Sequence, residues 1–498
     1  MAPGARQEVY IIIKPGSNHT LVQLVGNVEN AFNPPHYSIP TQVYYSEETN
    51  QYAAEPFAGD LPSQNKILHP IVRGSIVDLQ AFQHFLLFVY KSLVVAENLQ
   101  SLKETSVPST VDALAPLVNI PMICTFHHSA TKTQMEKLTQ FFFENIGVNS
   151  LMFLPSGMSS LYAFANNNNG GNGVVVDIGA EKFDLIPICD FVVQSHLCYT
   201  SKIGGNSINE QLSLKLGWKT PESIENLKKS DIFEVLPDYN IDEIAVANKS
   251  GNTDPKDVDN NLPNKFLDGN LQEDEEADET EGVMDIAEIV TSGKDTRKLL
   301  EEREKSKSTK KNSELEENVF YDVATQQMLT VGKERFSGCG KLLKQISLKL
   351  GRALSQVPDL NKRRALWENI VLVGNTASIT GFKDVLLKRL IHDHLIQEPE
   401  AEFKNREEAF YANATKKKGR YVGHVIALDY MNQIPISIKI NKIPEYFPQW
   451  KKFGYGEIEF LGAQIVARQV FSHYNEQYFV TREKYNEAGP MSCWAVSM

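Results

Sequence analysis

His127 and His128 are adjacent and Ser129 follows them, so two imidazoles and a hydroxyl lie within one short run. Such a run invites two chemistries: hydrolysis with a histidine activating the serine, or divalent-metal binding by the imidazoles. The spacing argues against a shared ligand role, because neighbouring residues of a strand point to opposite faces and the two rings are expected to diverge. Ser156-Gly157-Met158-Ser159-Ser160 also concentrates hydroxyls, but it lacks the Gly-x-Ser-x-Gly pattern of a nucleophile elbow. The five cysteines, Cys124, Cys189, Cys198, Cys339 and Cys493, include no CxxC pair. Neither a disulfide framework nor a structural zinc site is expected, and a reducing compartment is the default. The basic runs at 305–311 and Lys416-Lys417-Lys418-Gly419-Arg420 are read as solvated chain rather than as import or nucleic-acid signals.

Glycine-bearing turns are the other candidates, and the elements that must position them are legible. A β-branched and aromatic run at 9–13 meets Pro15-Gly16-Ser17-Asn18, and a second apolar run at 20–25 follows, which predicts a hairpin. The pattern returns at 174–178, where Asp177-Ile178-Gly179 ends a buried strand and 183–188 supplies its partner. A third strand, 370–373, ends at Gly374-Asn375-Thr376 and precedes a helix at 381–392. Strand–turn–strand units in two halves of a chain point to an internally duplicated fold whose turns face each other across a cleft. Helical periodicity predicts helices over 77–95, 132–146, 156–164 and around Ala463, with Met135, Leu138, Phe141 and Phe142 on one inward face. Phe141-Phe142-Phe143 is read as core.

The chain has 498 residues, 42% of them hydrophobic and 22% charged, enough for two or more domains with their own cores. A net charge of -12 argues against sequence-blind nucleic-acid binding. Part of that charge lies in 249–282, an Asn-, Asp-, Glu- and Pro-rich stretch with too few apolar residues to offset its ordering entropy, and so expected to be a flexible insertion. A charge-rich helical stretch is expected over 285–307. No apolar run approaches the length of a membrane span, and the first residues lack a signal-peptide core, so a soluble intracellular protein is expected.

Six segments then carry a resemblance: His69-Pro70-Ile71-Val72-Arg73-Gly74, Met135-Glu136-Lys137-Leu138-Thr139-Gln140, Ser160-Leu161-Tyr162-Ala163, Val331-Gly332-Lys333-Glu334-Arg335-Phe336, Phe460-Leu461-Gly462-Ala463 and the run 482–490. At these residues, in the same order and over most of its length, the chain resembles the actin family. The runs 287–293, 365–370 and 444–452 are unlike conventional actin and are similar to the divergent nuclear actin-related proteins of fungal chromatin remodellers. The resemblance implies an α/β protein with the actin-like ATPase fold, two ribonuclease-H-like domains around a central cleft. Domain I would comprise 1–163 plus 456–498, and domain II 164–455. It also puts the His127-His128 pair at the end of the strand before the 132–146 helix.

The ATP site of that family sets two Gly-rich hairpins around the phosphates, carboxylates around Mg²⁺ and a lysine on phosphate. By local alignment, Lys14 stands in place of the metal-associated aspartate and Leu21 in place of the phosphate lysine. Pro15 removes a backbone donor. Asp177 and Gly179 are retained, whereas Ala180 and Glu181 replace an aspartate and a glycine, and Glu181 would bring negative charge towards the phosphates. The water-orienting glutamine corresponds to Ser156 and a nearby histidine to Asp184. Gly374 is kept and its partner glycine is Asn375, which tolerates left-handed geometry. Gly16, Ser17, Asp177, Gly179, Gly205 and Gly374 therefore line a vestigial cleft, or simply make the turns the fold needs. No catalytic residue, cofactor or metal is expected. A kinase of the sugar-kinase type would need an aspartate base, for which Asp184 alone is a candidate.

With the cleft disabled, the resemblance implies a scaffold role in the nucleus. The implied partners are actin-related protein 7, the long helix preceding the motor of the SWI/SNF or RSC ATPase and a small accessory subunit, with chromatin contacted indirectly. A partner helix would anchor in a groove that includes Tyr162 and Ala163 on one side and Val466, Val470 and Phe471 on the other; the other reading of these residues is that they pack the hinge. The shortened 46–65 loop and the apolar ending with Trp494 depart from actin, so self-polymerisation is not expected. The competing expectation is an actin-like protein that keeps a structural or weakly hydrolysed ATP.

Overall fold

The computed structural model describes residues 9–26, 31–56, 65–104, 120–164, 170–218, 220–241, 311–395, 433–444, 446–472 and 476–496. The acidic insertion at 249–282, the 285–307 helix and both basic runs, apart from Lys311, fall outside the described residues. The chain forms two compact units, one of residues 1–208, 341–378 and 382–498, the other of 209–340 and 379–381.

Two sheets organise the first unit. Their strands, in chain order, are β1 (Tyr10–Lys14), β2 (His19–Val25), β3 (Tyr37–Pro40), β4 (Met122–Phe126), β5 (Ser150–Pro155), β6 (Gly173–Ile178), β7 (Phe183–Cys189), β8 (Val192–Val193), β9 (Tyr199–Thr200), β10 (Ile370–Val373) and β11 (Val480–Thr481). The first sheet has the order β11-β5-β4-β1-β2-β3, with β1 antiparallel to β2 and parallel to β4. The second has the order β8-β7-β6-β10, with β9 also paired to β7. There β6 runs antiparallel to β7 and parallel to β10. Each sheet thus starts with a hairpin whose first strand is also a parallel strand, and the duplication read from the sequence is present.

Why these runs become central strands is visible in β1. Its four apolar residues are all buried, as a strand covered on both faces requires. The pleat sends alternate side chains to opposite layers. Ile11 and Ile13 join Val22, Cys124 and Phe153 in one core, while Tyr10 and Ile12 join Ile123, Met152 and Leu154 in the other.

The first of these cores is closed by the helix Leu79–Glu104 and by α1 (Lys132–Phe141). Thr131 and Gln134 form a reciprocal capping box that fixes the start of α1. The expected helix to Ile146 changes at Phe142 into a π-helical turn that ends at Gly147, whose φ of 85° suits glycine. Phe141, Phe142 and Phe143 are all buried, as expected.

The second core is filled by α2 (Ser156–Ala163) and α3 (Ile458–Ser472), which pack against both sheets. They approach closely at Gly462, where a Cβ would sit on the Ser159 carbonyl. The Ser159 hydroxyl donates to the Glu459 carbonyl at 2.6 Å. Among the described residues, no helix is long and apolar enough to cross a membrane.

In the second unit, a hairpin of Asn318–Asp322 and Gln327–Val331 packs on the helix Pro221–Lys229 through Phe320, Val331 and Leu227. Arg335 is fully buried and donates to Asn312 and to the carbonyls of Asn312, Leu315, Glu316, Val331 and Gly332. It is the buried tie between 312–316 and the end of the hairpin, beside the exposed Lys333–Glu316 pair at 2.7 Å.

Candidate functional site

The three turns singled out in the sequence lie in the first unit. Lys14 ends β1, and its ammonium is ion-paired with Glu457 and stands 3.3 Å from Glu459 Oε2. Glu459 belongs to the first turn of α3, where the helix dipole favours a carboxylate. Asn375 Nδ2 donates to Glu457 Oε1 at 3.3 Å, and the Gly374 amide donates to the Gly456 carbonyl at 3.2 Å. The first hairpin, the third turn and the start of α3 are therefore joined around one ammonium group.

Burial and the Lys14 ion pairs oppose each other in this cluster, and the outcome differs from group to group. Burial pushes the Glu459 carboxyl up to about 7, with Lys14 opposing the shift and Asp177 and Glu457 adding to it. Burial alone would lower the Lys14 ammonium, but Glu457 and Glu459 outweigh it and hold the group charged. Lys14 keeps Glu457 below its usual range against the effect of burial. Asp177 is raised by burial, with Lys182 opposing.

Three backbone donors around the second turn are committed to the protein itself. Gly179 N–H donates to the Lys182 carbonyl at 2.9 Å, Gly205 N–H to the Gly179 carbonyl at 2.9 Å, and Asn206 N–H to the Ala180 carbonyl at 2.7 Å. Ser17 accepts the Gly74 amide at 2.8 Å, and Thr376 Oγ1 donates to the Gly179 carbonyl at 3.4 Å. Gly16 lies in the β1–β2 turn, and Leu21 is buried in β2. Glu181 does not bring charge inward: its half-exposed carboxylate lies 3.8 Å from Arg73 Nε.

These residues do not fit a Mg²⁺–triphosphate. A cation stands in the carboxylate position, two carboxylates accompany it, and turn amides already donate to carbonyls. A polyanion placed there would have to break the Lys14 pairs and leave Glu459 and Asp177 facing phosphate oxygens.

The histidine pair overturns one expectation. Strand β4 ends at Phe126, so the alternation of a strand no longer applies, and the two rings lie together with centroids 4.0 Å apart. His127 Nε2 is 2.9 Å from Asp184 Oδ2, and Lys182 pairs with the same carboxylate. His127 Nδ1 accepts the Ser129 amide at 3.2 Å, which assigns the hydrogen of a neutral ring to Nε2. His128 Nε2 is 3.0 Å from Thr200 Oγ1, which donates to Asp184 Oδ1 at 2.7 Å. Burial and the neighbouring His127 push His128 down to about 4. Burial would raise Asp184, but the His127 hydrogen bond and Lys182 hold it well below the carboxylate range.

Of the residues assigned to a partner groove, Ala163, Val466, Val470 and Phe471 are buried in the core shared by α2 and α3. They belong to α2 and α3 themselves and face the core that these helices share with the strands, rather than lining open surface. Tyr162 alone is part-exposed, and its ring stacks on Phe191 with centroids 5.9 Å apart.

Sequence reasoning missed Lys182, Thr200, Glu457, Glu459 and Gly204. At Gly204 a Cβ would come within 2.5 Å of Lys182 N and 2.6 Å of the Ala180 carbonyl, so the glycine lets its loop lie on the β6–β7 turn. The alternating Glu457 and Glu459 at a helix start were visible as a pattern, but nothing local marks their partner as Lys14.

The model of the family described as Actin matches residues 10–423. The chain is 26% identical over 485 residues to the protein of Schizosaccharomyces pombe named SWI/SNF and RSC complexes subunit arp9, covering 91% of this chain and 84% of that one. It is also 26% identical over 327 residues to Actin-related protein 7 of Arabidopsis thaliana, 64% of this chain and 66% of the relative. A shorter likeness, 24% over 170 residues, links it to Centractin of Schizosaccharomyces pombe, 34% of this chain and 39% of the relative. With the sheets, the turns and a family match over most of its length, the chain belongs to the actin family.

Proposed function

We propose that this chain is a non-enzymatic actin-related scaffold subunit of an ATP-dependent chromatin-remodelling complex in the nucleus. It binds a helix of the motor subunit and a second actin-related protein, with a small accessory subunit completing the module, and it uses no nucleotide or metal for catalysis. The observation that carries the non-enzymatic part is the Lys14 ammonium held between Glu457 and Glu459. Hydrolysis in a phosphate-binding cleft needs positive charge and amide donors directed at the phosphates. Here the charge and several of the donors are spent on protein acceptors. Similarity to a subunit named for SWI/SNF and RSC supports the assembly.

A partner helix would present apolar residues at i, i+3, i+4 and i+7. With Ala163, Val466, Val470 and Phe471 buried, Tyr162 is the member of the expected set that such a helix can reach directly. The test is purification of the tagged full chain from its source cells, with the co-purifying chains identified by mass. The expected result is a remodeller ATPase and a second actin-related protein in fixed proportion. Recovery of the chain alone, or with cytoskeletal proteins, overturns the assignment.

A further inference from the structure

One group of side chains away from Lys14 has the composition and spacing of a metal site. His127, His128 and Asp184 each offer a ligand atom, and these atoms lie within 4.8 Å of one another. The residues come from different elements: the histidines follow β4 of the first sheet, and Asp184 lies in β7 of the second. Two imidazoles and a carboxylate are the donor set of a borderline divalent ion such as Zn²⁺, with water as the fourth ligand.

Three further features describe a seat for a cation. The Lys182 ammonium already sits on Asp184 Oδ2, so a positive charge is held where the ion would bind. His128 Nδ1 is buried without a hydrogen-bond partner. Gly74 closes over the group: a Cβ there would come within 2.9 Å of His127 Cδ2 and would also meet Lys182 Nζ.

We propose that His127, His128 and Asp184 form a divalent transition-metal site in which the ion exchanges with the Lys182 ammonium and ties the turn after β4 to β7. Coordination through His127 Nε2 moves the ring hydrogen to Nδ1. Ser129 Oγ, 2.7 Å away, then accepts it in place of the 3.2 Å bond that Nδ1 now accepts from the Ser129 amide, and Ser129 can direct its own hydrogen to Ser75 Oγ at 2.8 Å. Such hydroxyl and carboxylate partners orient ligating imidazoles. Thr200, donating to Asp184 Oδ1, fixes the carboxylate so that Oδ2 faces the ion.

The Lys182 ammonium competes with the metal, and this gives the test its sign. Zn²⁺ affinity of the full chain is measured by titration calorimetry, and the ligand field is read from visible absorption with Co²⁺. The expected result is one equivalent bound, a tetrahedral Co²⁺ spectrum, and at least tenfold tighter binding by Lys182→Met. His128→Gln and Asp184→Asn, checked for an unchanged circular dichroism spectrum, are expected to weaken binding at least tenfold. A cluster with a purely structural role predicts no gain of affinity in Lys182→Met. No tetrahedral Co²⁺ spectrum in either wild type or Lys182→Met, or Zn²⁺ affinity insensitive to Lys182, overturns the proposal.

Discussion

Lys14 and Glu459 stand 3.3 Å apart, nitrogen to oxygen, and couple the last residue of a central strand to the first turn of α3. Their side chains are only 17% and 9% exposed, so neither charge is well solvated. Removing one partner of such a pair leaves the other as an uncompensated buried charge, which costs more than the pair itself contributes.

Lys14→Met is therefore expected to destabilise the first unit by about 3 kcal/mol, since Glu457, Glu459 and Asp177 lose their shared cation. The double variant Lys14→Met/Glu459→Gln should recover about 1 kcal/mol of that, because the two residues are coupled. Urea denaturation of the four proteins of this cycle measures both. A Lys14→Met variant as stable as wild type would remove the ion cluster from the account of the fold.

The same cluster makes stability depend on pH. Glu459 titrates at about 7 in the folded chain, against an ordinary value of 4.5, because burial penalises its charge. Between those values the folded state holds the proton that the unfolded state has released. Stability from this group is thus fully present below pH 4.5 and is lost as pH rises to about 7. Lys14, Asp177 and Glu457 are the charged groups that set the shift. Glu459→Gln has no such proton, so its unfolding free energy relative to wild type should rise by up to about 3 kcal/mol from pH 4.5 to pH 8. Parallel stability curves for the two proteins across that range would show that Glu459 does not titrate there.

Gly462→Ala tests the helix contact behind the cluster. The added Cβ lands on the Ser159 carbonyl, a backbone atom that cannot rotate away, so α2 and α3 must separate. Overpacking of this kind costs about 1–3 kcal/mol, sometimes more, and outweighs the gain in helix propensity of about 1 kcal/mol from Gly to Ala. A thermal midpoint equal to or above wild type would mean that the two helices slide without cost.

In the second unit the corresponding test is Arg335→Lys. The guanidinium satisfies five carbonyls and the Asn312 side chain from one buried position, a fan of donors that a lysine cannot reproduce. Burying an ammonium with several carbonyls left unpaired should cost about 3 kcal/mol. Proteolysis is expected to cut the variant within 311–335 faster than wild type, while the first unit keeps its protection. Equal cutting rates would place the tie elsewhere.

Local signals made the strands and turns legible. The β1 and β6 runs are apolar, β-branched and closed by Gly or Pro, so period and punctuation agreed. The core role of Phe141, Phe142 and Phe143 followed from helical spacing alone. The actual site was less legible because it is assembled from distant pieces: Lys14 finds its carboxylates 443 residues along the chain at Glu457 and beyond it at Glu459. The expectation that His127 and His128 diverge carries strand geometry two residues too far. Once β4 stops at Phe126, a turn with its own Ala130-to-His127 hydrogen bond brings both rings to Asp184. The groove residues rest on a likeness in sequence, and burial in the core shared by α2 and α3 is a tertiary property that no local pattern carries.

Melting with Mg-ATP separates the scaffold reading from that of a protein carrying structural nucleotide. A ligand that binds only the folded chain, present at 100 times its Kd, adds about 2.7 kcal/mol of stability. At millimolar Mg-ATP that covers any site with a Kd of about 10 micromolar or tighter. The Lys14 pairs predict no shift in the wild-type midpoint, because a triphosphate entering the turns must displace Lys14 from Glu457 and Glu459 before it gains a contact. The comparison with Lys14→Met identifies the group behind a positive result. If the cluster is what excludes nucleotide electrostatically, the variant still gives no shift, because Glu457, Glu459 and Asp177 then face the phosphates unopposed. A shift in wild type that Lys14→Met abolishes would mean that Lys14 grips phosphate, and would return the chain to the nucleotide-binding reading.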